Sequence, residues 1–312
     1  MNYKKTLKNI SFFILFLSIS MGASLSVFGE SLEEAKQHFS SKFSPLKETV
    51  LDAGGFFSMS EMTKDLSDLF PLATRIGKNS QELLDLYDLY TLVLSKKPEK
   101  AKEVIKFGTE LLTKYKGNKL LNDEIQATLH FRLSNAYQEE GDFPNAIKHQ
   151  KPFISLALKS KLLTTALGQE EQLAYMLHEN QQYSEALKLN LKIEKEATKA
   201  RLAEDQFFNL YTNIAQNHYK LNDFSSAKIY LDKRLALSQK QLNLEEELDT
   251  LFQLGVLAFE DGKFDESEKL FEKRIKLAKT KKHLLKYSTL KGLEEDLKTY
   301  HEKLAKKQKW SL

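Results

Sequence analysis

A fourteen-residue segment that recurs four times along the chain limits its fold more than any other feature. The copies span residues 133–146, 173–186, 214–227 and 254–267. An aromatic residue in each copy marks the period, with steps of 40, 41 and 40 residues between Phe143, Tyr183, Phe224 and Phe264. A period of roughly 20–50 residues is typical of architectures built by stacking one small structural unit. The sequence therefore predicts a stacked repeat.

Small residues recur at three further positions of the repeat. Each copy begins with Leu or Ile, and the small positions hold Ser134, Ala174, Ala215 and Gly255, then Ala146, Ala186, Ala227 and Ser267, then Ala157, Ala197, Ser238 and Ala278. Two helices approach closely only where small side chains face each other, and an aromatic residue beside the turn fills the space where they diverge. We therefore predict a helix pair in each repeat. Since one pair cannot bury its apolar face alone, neighbouring pairs must stack.

These features together resemble the tetratricopeptide repeat, over about residues 123–280. The resemblance rests on the aliphatic residue followed by a small one, on the Gly-Asp or Asn-Asp turn before the aromatic residue, and on the Ala that follows. The resemblance implies an all-α solenoid of helix–turn–helix units wound into a right-handed superhelix. The common tetratricopeptide unit has about 34 residues, so the longer period here implies longer helices. HEAT-type repeats, with a period of roughly 40–47 residues, are the alternative, but the turn and the small positions favour the tetratricopeptide reading.

Weaker patterns precede the repeats. Residues 30–80 form an N-terminal segment in which helices are predicted over 31–50 and 60–77. Between them, residues 53–57 form a glycine-containing loop with two phenylalanines, which is either a simple turn or a binding loop. The repeat pattern persists in weaker form over residues 81–122, and we interpret these residues as an irregular repeat.

The residues after the repeats, 281–312, predict a capping helix and a basic tail. An apolar stripe at a 3-4-3-4 spacing runs through Leu290, Leu293, Leu297, Tyr300 and Leu304. A solenoid needs such an end cap, because its last repeat otherwise exposes core. A coiled-coil dimerisation helix has the same spacing. The stripe covers only about two heptads, which favours the cap.

The first 29 residues have the three parts of a secretory signal peptide, namely a basic start, an apolar run over 10–21 and a stretch rich in small residues up to Gly29. A cut after Gly29 is expected; an earlier cut near Ala23 and a retained membrane anchor are the alternatives. We therefore expect an exported protein of the periplasm or cell envelope, or a secreted one. The formal charge of +4 falls to +1 for residues 30–312, so most of the basicity belongs to this segment.

Motifs that carry chemistry are missing from the sequence. The chain contains no cysteine, which excludes disulfide frameworks, zinc–thiolate sites, Fe–S clusters and a cysteine nucleophile. It has no Gly-x-Ser-x-Gly or His-Glu-x-x-His motif, and its seven histidines are scattered. Basic and acidic residues are interspersed, so we expect no basic stripe for nucleic acid. We expect a protein that is not an enzyme and has no catalytic residues, cofactor, bound metal ion or nucleic-acid partner.

The resemblance to tetratricopeptide proteins implies a concave groove, lined by the first helix of each repeat, that binds a peptide or a partner helix. The positions carried over are Arg132, Asn135, Gln138, Tyr175, His178, Gln216, Tyr219, Phe252, Val256 and Phe259. Amides in this set would satisfy peptide backbone groups, and the aromatic side chains would supply contact area. The alternative is that these aromatics pack against each other and fill the groove.

These observations predict an exported, non-catalytic scaffold for protein–protein interaction. A secreted surface or host-interaction protein on the same fold is the first alternative. A peptide-sensing regulator, or an envelope enzyme with its activity in residues 30–120, is the second. No catalytic constellation is present in residues 30–120, which disfavours the enzyme.

Overall fold

The computed structural model describes residues 30–52, 58–159, 163–201, 203–286 and 288–309. The predicted signal peptide and the loop over 53–57 lie outside these residues. The described chain contains helices and no strand, and it forms two compact units, one ending at Leu156 and one starting at Ala157. No described helix combines the length and the apolar character that a bilayer crossing requires. The all-α prediction is confirmed.

Within the described residues, the first unit contains six helices and most of a seventh. They are α1 (Leu32–Asp52), α2 (Met59–Ser67), α3 (Phe70–Ile76), α4 (Gln81–Leu94), α5 (Ala101–Lys114), α6 (Asp123–Glu139) and α7 (Phe143–Lys159), whose last residues belong to the second unit. The second unit continues with α8 (Leu163–Glu179), α9 (Tyr183–Lys199), α10 (Phe207–Lys220), α11 (Phe224–Lys240), α12 (Leu244–Glu260), α13 (Phe264–Thr280) and α14 (Leu290–Lys309). Each predicted turn aromatic is the first residue of a second helix, and all four of these helices have 17 residues.

The turn inside each helix pair has the same backbone geometry in all four repeats. One residue adopts a positive φ of 60–75°, and these residues are Gly141, Gln181, Asn222 and Gly262. The next backbone N–H donates to a carbonyl five residues earlier, over 2.8–2.9 Å. This is the Schellman ending of a helix, for which Gly and Asn are favoured. Where Asp follows, as at Asp142 and Asp223, its carboxylate accepts from the backbone N–H groups of Asn145 and Ser226 and caps the second helix.

The three small positions of the repeat are buried in every copy. In two copies, a hydrogen bond also joins the first small position to the second across the helix pair. The Ser134 hydroxyl donates to the Ala146 carbonyl at 3.0 Å, and the Ser267 hydroxyl donates to the Gly255 carbonyl at 2.7 Å. A Cβ added to Gly255 would lie 3.0 Å from the Phe271 ring. The helices of a pair therefore approach so closely that larger residues would not fit.

One predicted helix is wrong. The segment 60–77 is two helices, α2 and α3, with a break at Asp68 and Leu69. Pro71 lies in the first turn of α3. Proline lacks an N–H and clashes inside a continuous helix, whereas the first turn tolerates it. The break therefore falls where the proline permits a new helix to begin.

The C-terminal helix α14 caps the second unit, as predicted. Leu293 and Tyr300 of its apolar stripe are buried against α12 and α13. The Tyr300 hydroxyl donates to the Phe264 carbonyl at 2.9 Å, and Arg274 pairs with Asp296 at 2.6 Å. Since the stripe is buried inside its own chain, it is not available as a coiled-coil seam.

The turn geometry predicts opposite effects for two glycine substitutions. Gly141→Ala should lower the free energy of unfolding by about 1 kcal/mol, because an L-residue is strained at φ 72° while no atom lies near the added methyl group. Gly168→Ala is the matched control, since this glycine lies inside α8 and its added Cβ also meets open space. That change should raise stability by about 0.5–1 kcal/mol. Urea unfolding of both variants checks the pair, and equal effects would contradict the assigned turn.

Candidate functional site

Four of the predicted groove residues line one cavity of the second unit, namely Gln216, Tyr219, Phe252 and Val256. The cavity lies between α10, α11 and α12 and has a volume of about 260 Å³. We name it the α10–α12 cavity. Its lining residues are Ala215, Gln216, Tyr219, Ala227, Leu231, Asp249, Phe252, Gln253, Val256 and Leu257.

The floor of the α10–α12 cavity comes from the small positions of the repeat. Ala215 and Ala227, which allow α10 and α11 to approach, end at Cβ and leave space above them. Leu231 and Leu257 close the bottom and are buried. The same residues that hold the helix pair together thus leave an apolar recess, which α12 lines on another side.

The walls of the cavity are aromatic and fixed in place by packing. Phe252 meets Phe271 edge to face, with ring centroids 5.8 Å apart, and the Arg274 guanidinium lies 4.8 Å from the centre of its ring. Tyr219 packs on Phe224 at 5.9 Å. Burial, and to a lesser extent the Glu260 carboxylate, raises the pKa of Tyr219. Its hydroxyl therefore stays protonated and can donate a hydrogen bond.

The rim of the cavity is polar. Gln216 is exposed and Gln253 is half-buried. Asp249 accepts at 2.8 Å from the Gln253 amide and pairs at 2.8 Å with the buried guanidinium of Arg234. Sequence reasoning missed Gln253 and Asp249. Extending the α12 stripe one turn back from Phe252 and Val256, at the i, i+3, i+4, i+7 spacing, would have found both.

Tyr175 and His178 of α8 have different surroundings. The Tyr175 side chain is 45% exposed. The Nδ1 atom of His178 lies 2.9 Å from the Asn217 side-chain oxygen, and its ring packs edge to face on Tyr183. His178 therefore links α8 to α10 instead of facing an open surface.

Two of the predicted groove residues are core residues, and their expected position is corrected. Arg132 is buried and donates to the Asp88 carbonyl, the Asp88 carboxylate and the Thr91 hydroxyl at 2.6–3.0 Å. Its guanidinium group therefore joins α6 to α4. Phe259 is buried between Phe264 and Tyr300, because α14 covers it.

Asn135 and Gln138 lie in the first unit, where both are half-buried on α6. They line none of the α10–α12 cavity. The predicted set therefore separates into cavity residues, a linking histidine, an exposed tyrosine, core residues and two amides of the other unit.

Two histidines that sequence spacing did not connect lie together in the first unit. His130 of α6 and His149 of α7 bring their Nδ1 atoms to 2.9 Å, and Tyr137 stacks on His149 with ring centroids 5.5 Å apart. Burial lowers the pKa of both rings; for His149, the nearby His130 and Lys148 contribute as well, and its pKa falls to about 4. Both rings are therefore neutral near pH 7. No group of three or more His, Asp or Glu able to hold a metal ion occurs among the described residues.

Comparison with known proteins gives matches in structure. No protein-family model matches the chain, and no curated protein sequence matches it. A putative kinesin light chain from Podosopora anserina, described as having nearly identical TPR-like repeats, is similar over 65% of this chain and 98% of its own, with a TM-score of 0.51 and 17% sequence identity. The apo form of RapI is similar over 79% of this chain and 77% of its own, with a TM-score of 0.51 and 13% identity.

These likenesses agree with the helix pairs, the shared turn and the small positions described above. The chain has a tetratricopeptide-like helical-repeat fold. At 17% and 13% identity, the similarity concerns the fold.

The histidine pair predicts acid sensitivity of the first unit. In the unfolded chain, His149 binds a proton near pH 6.5, but in the folded chain only near pH 4. The contribution of His149 to the free energy of unfolding is therefore fully present above pH 6.5. It is lost as the pH falls towards 4, by about 3 kcal/mol. A His149→Phe variant keeps a ring against Tyr137 and should lose correspondingly less stability over this range. Urea unfolding at several pH values measures the difference, and parallel pH profiles would contradict the assignment.

Proposed function

We propose that the protein is a non-catalytic binding scaffold and that the α10–α12 cavity receives one apolar side chain of an extended peptide or partner segment. The observation that carries the proposal is the cavity itself, which has an apolar floor, rigid aromatic walls and an amide and carboxylate rim. Binding sites commonly combine a mostly apolar concavity with a few placed polar groups.

The size of the cavity favours a side chain over a whole small molecule. Pockets for drug-sized ligands measure roughly 300–1,000 Å³, and this cavity measures about 260 Å³. It is also partly open to solvent. A large aliphatic or aromatic residue can enter from a chain that continues along the surface on both sides.

Amides at one repeat position support recognition of a peptide backbone. Gln172, Asn213 and Gln253 occur at steps of 41 and 40 residues on α8, α10 and α12, and all three are half-buried. Each amide offers both a donor and an acceptor, which is what the N–H and C=O groups of an extended chain require. Because Asp249 lies among them, a basic residue beside the anchoring side chain fits better than an acidic one.

The peptide proposal is tested by selecting ligands from a random peptide display library with the full chain. Selected peptides should share one large apolar residue. Val256→Trp fills the cavity and should weaken their binding at least about tenfold, as expected when a buried anchor is lost. Ile229→Gln is the matched control, since Ile229 is 56% exposed and lies outside the cavity. Equal affinities of the wild type and the Val256→Trp variant, measured by calorimetry, would reject the cavity as the binding site.

We also propose that the protein acts outside the cytoplasm. The support is the arrangement of residues 1–29, with Lys4, Lys5 and Lys8 before an apolar run that ends in small residues. Expression of the full gene in bacteria, followed by fractionation and intact-mass measurement, should give a chain that starts at Glu30 in the extracytoplasmic fraction. A chain that starts at Met1 and remains in the cytoplasm would contradict export.

A further inference from the structure

Leu242 occupies a position for which folding gives no reason to choose leucine. It lies in the turn between α11 and α12 at a φ of 54°, and its side chain is 84% exposed. The following N–H donates to the Ser238 carbonyl at 2.9 Å, so this is a Schellman position suited to Gly or Asn. The residue thus has backbone strain without burial. Residues held in strained backbone conformations cluster at functional sites.

A second exposed leucine lies on the adjoining loop. Leu284, in the connection between α13 and α14, is 49% exposed. The carboxylate of Glu245, in the first turn of α12, binds this loop, because it accepts from the backbone N–H of Lys286 at 2.8 Å and from the Ser288 hydroxyl at 2.6 Å. Glu245 is three residues after Leu242. The start of α12, which directly follows the turn with Leu242, is therefore bound to the loop that carries Leu284.

The segment around Leu284 is basic, which corrects the expectation that charges are interspersed along the whole chain. Residues 273–293 contain eight Lys and Arg and no Asp or Glu. Lys276 lies in the last turns of α13, where the helix dipole favours cations, but Lys282 and Lys286 lie beyond the helix end. Among the described residues, these three lysines are exposed and have no carboxylate within ion-pair distance.

We propose that Leu242, Leu284, Lys282 and Lys286 form a docking edge for an anionic lipid surface. Exposed leucines can enter the boundary between lipid headgroups and acyl chains, while lysines contact the anionic headgroups. The positive charge specifies an anionic partner. The leucines favour lipid over nucleic acid, whose recognition relies on basic, polar and aromatic side chains. The edge is separate from the α10–α12 cavity and does not depend on its proposed role.

The test measures co-sedimentation of the full chain with two kinds of vesicle, pure phosphatidylcholine and an equimolar mixture with phosphatidylglycerol. Binding should be stronger to the mixed vesicles and should decrease with added salt. Leu242→Asn should lower this affinity about tenfold. It should also raise the thermal midpoint, since Asn suits the positive φ, so that lost binding is not lost folding. Lys282→Gln combined with Lys286→Gln should lower the affinity about twentyfold.

Matched controls separate the docking edge from other apolar and charged surface. Ile229→Gln removes an exposed apolar residue of α11, and Lys188→Gln with Lys195→Gln removes two exposed charges of α9. Both controls should bind as the wild type does. Residues 1–29 are identical in every variant, so a difference between variants reports on the substituted residues. Equal binding to both vesicle types, unchanged binding of the Leu242→Asn variant, or tight binding to duplex DNA that Leu242→Asn leaves unaffected would each overturn the proposal.

Discussion

Close contact between the two helices of each repeat is the constraint on which the rest of the structure depends. It requires small residues on both helices, and at Ser134 and Ser267 the fit is tight enough for a hydroxyl to reach the backbone of the opposite helix. Such contact is possible only if each chain reversal is short and always of the same geometry. The Schellman turns provide that geometry, because a left-handed residue ends the first helix just before the aromatic residue starts the second. The spacing of about forty residues in the sequence follows from this requirement.

The same constraint generates the candidate site. Alanines at 215 and 227 bring α10 and α11 together, and their missing side-chain volume becomes the floor of the α10–α12 cavity. The larger residues of α12 then form walls instead of filling the space. Phe252 cannot swing into the cavity freely, since Phe271 and Arg274 hold its ring. A recess that stays open without a ligand needs such support, because apolar side chains otherwise collapse into available space.

The sequence predicted what depends on local spacing. Helix pairs, turn positions and the capping stripe follow from periodicity, and they could be read without knowing which helices touch. The break at Leu69 was missed although Pro71 signals it locally. The surroundings of Arg132 and Phe259 could not be read in this way. A repeat position specifies a face of a helix, but burial also depends on what covers that face. Asp88 and Thr91 of a preceding helix bury Arg132, and α14 covers Phe259. The His130–His149 pair was missed for the same reason, since nineteen residues and a turn separate its members.

Helix α14 has a consequence for how the molecule can assemble. Stacked repeats present a surface at each end that is complementary to the next unit, so an uncovered end invites another copy to continue the stack. Here Leu293 and Tyr300 occupy that surface, and the Arg274–Asp296 pair and the Tyr300–Phe264 hydrogen bond fix the helix over it. Head-to-tail growth into a filament is therefore blocked at this end. Other molecules can still contact the sides and loops of the second unit and the exposed outer face of α14.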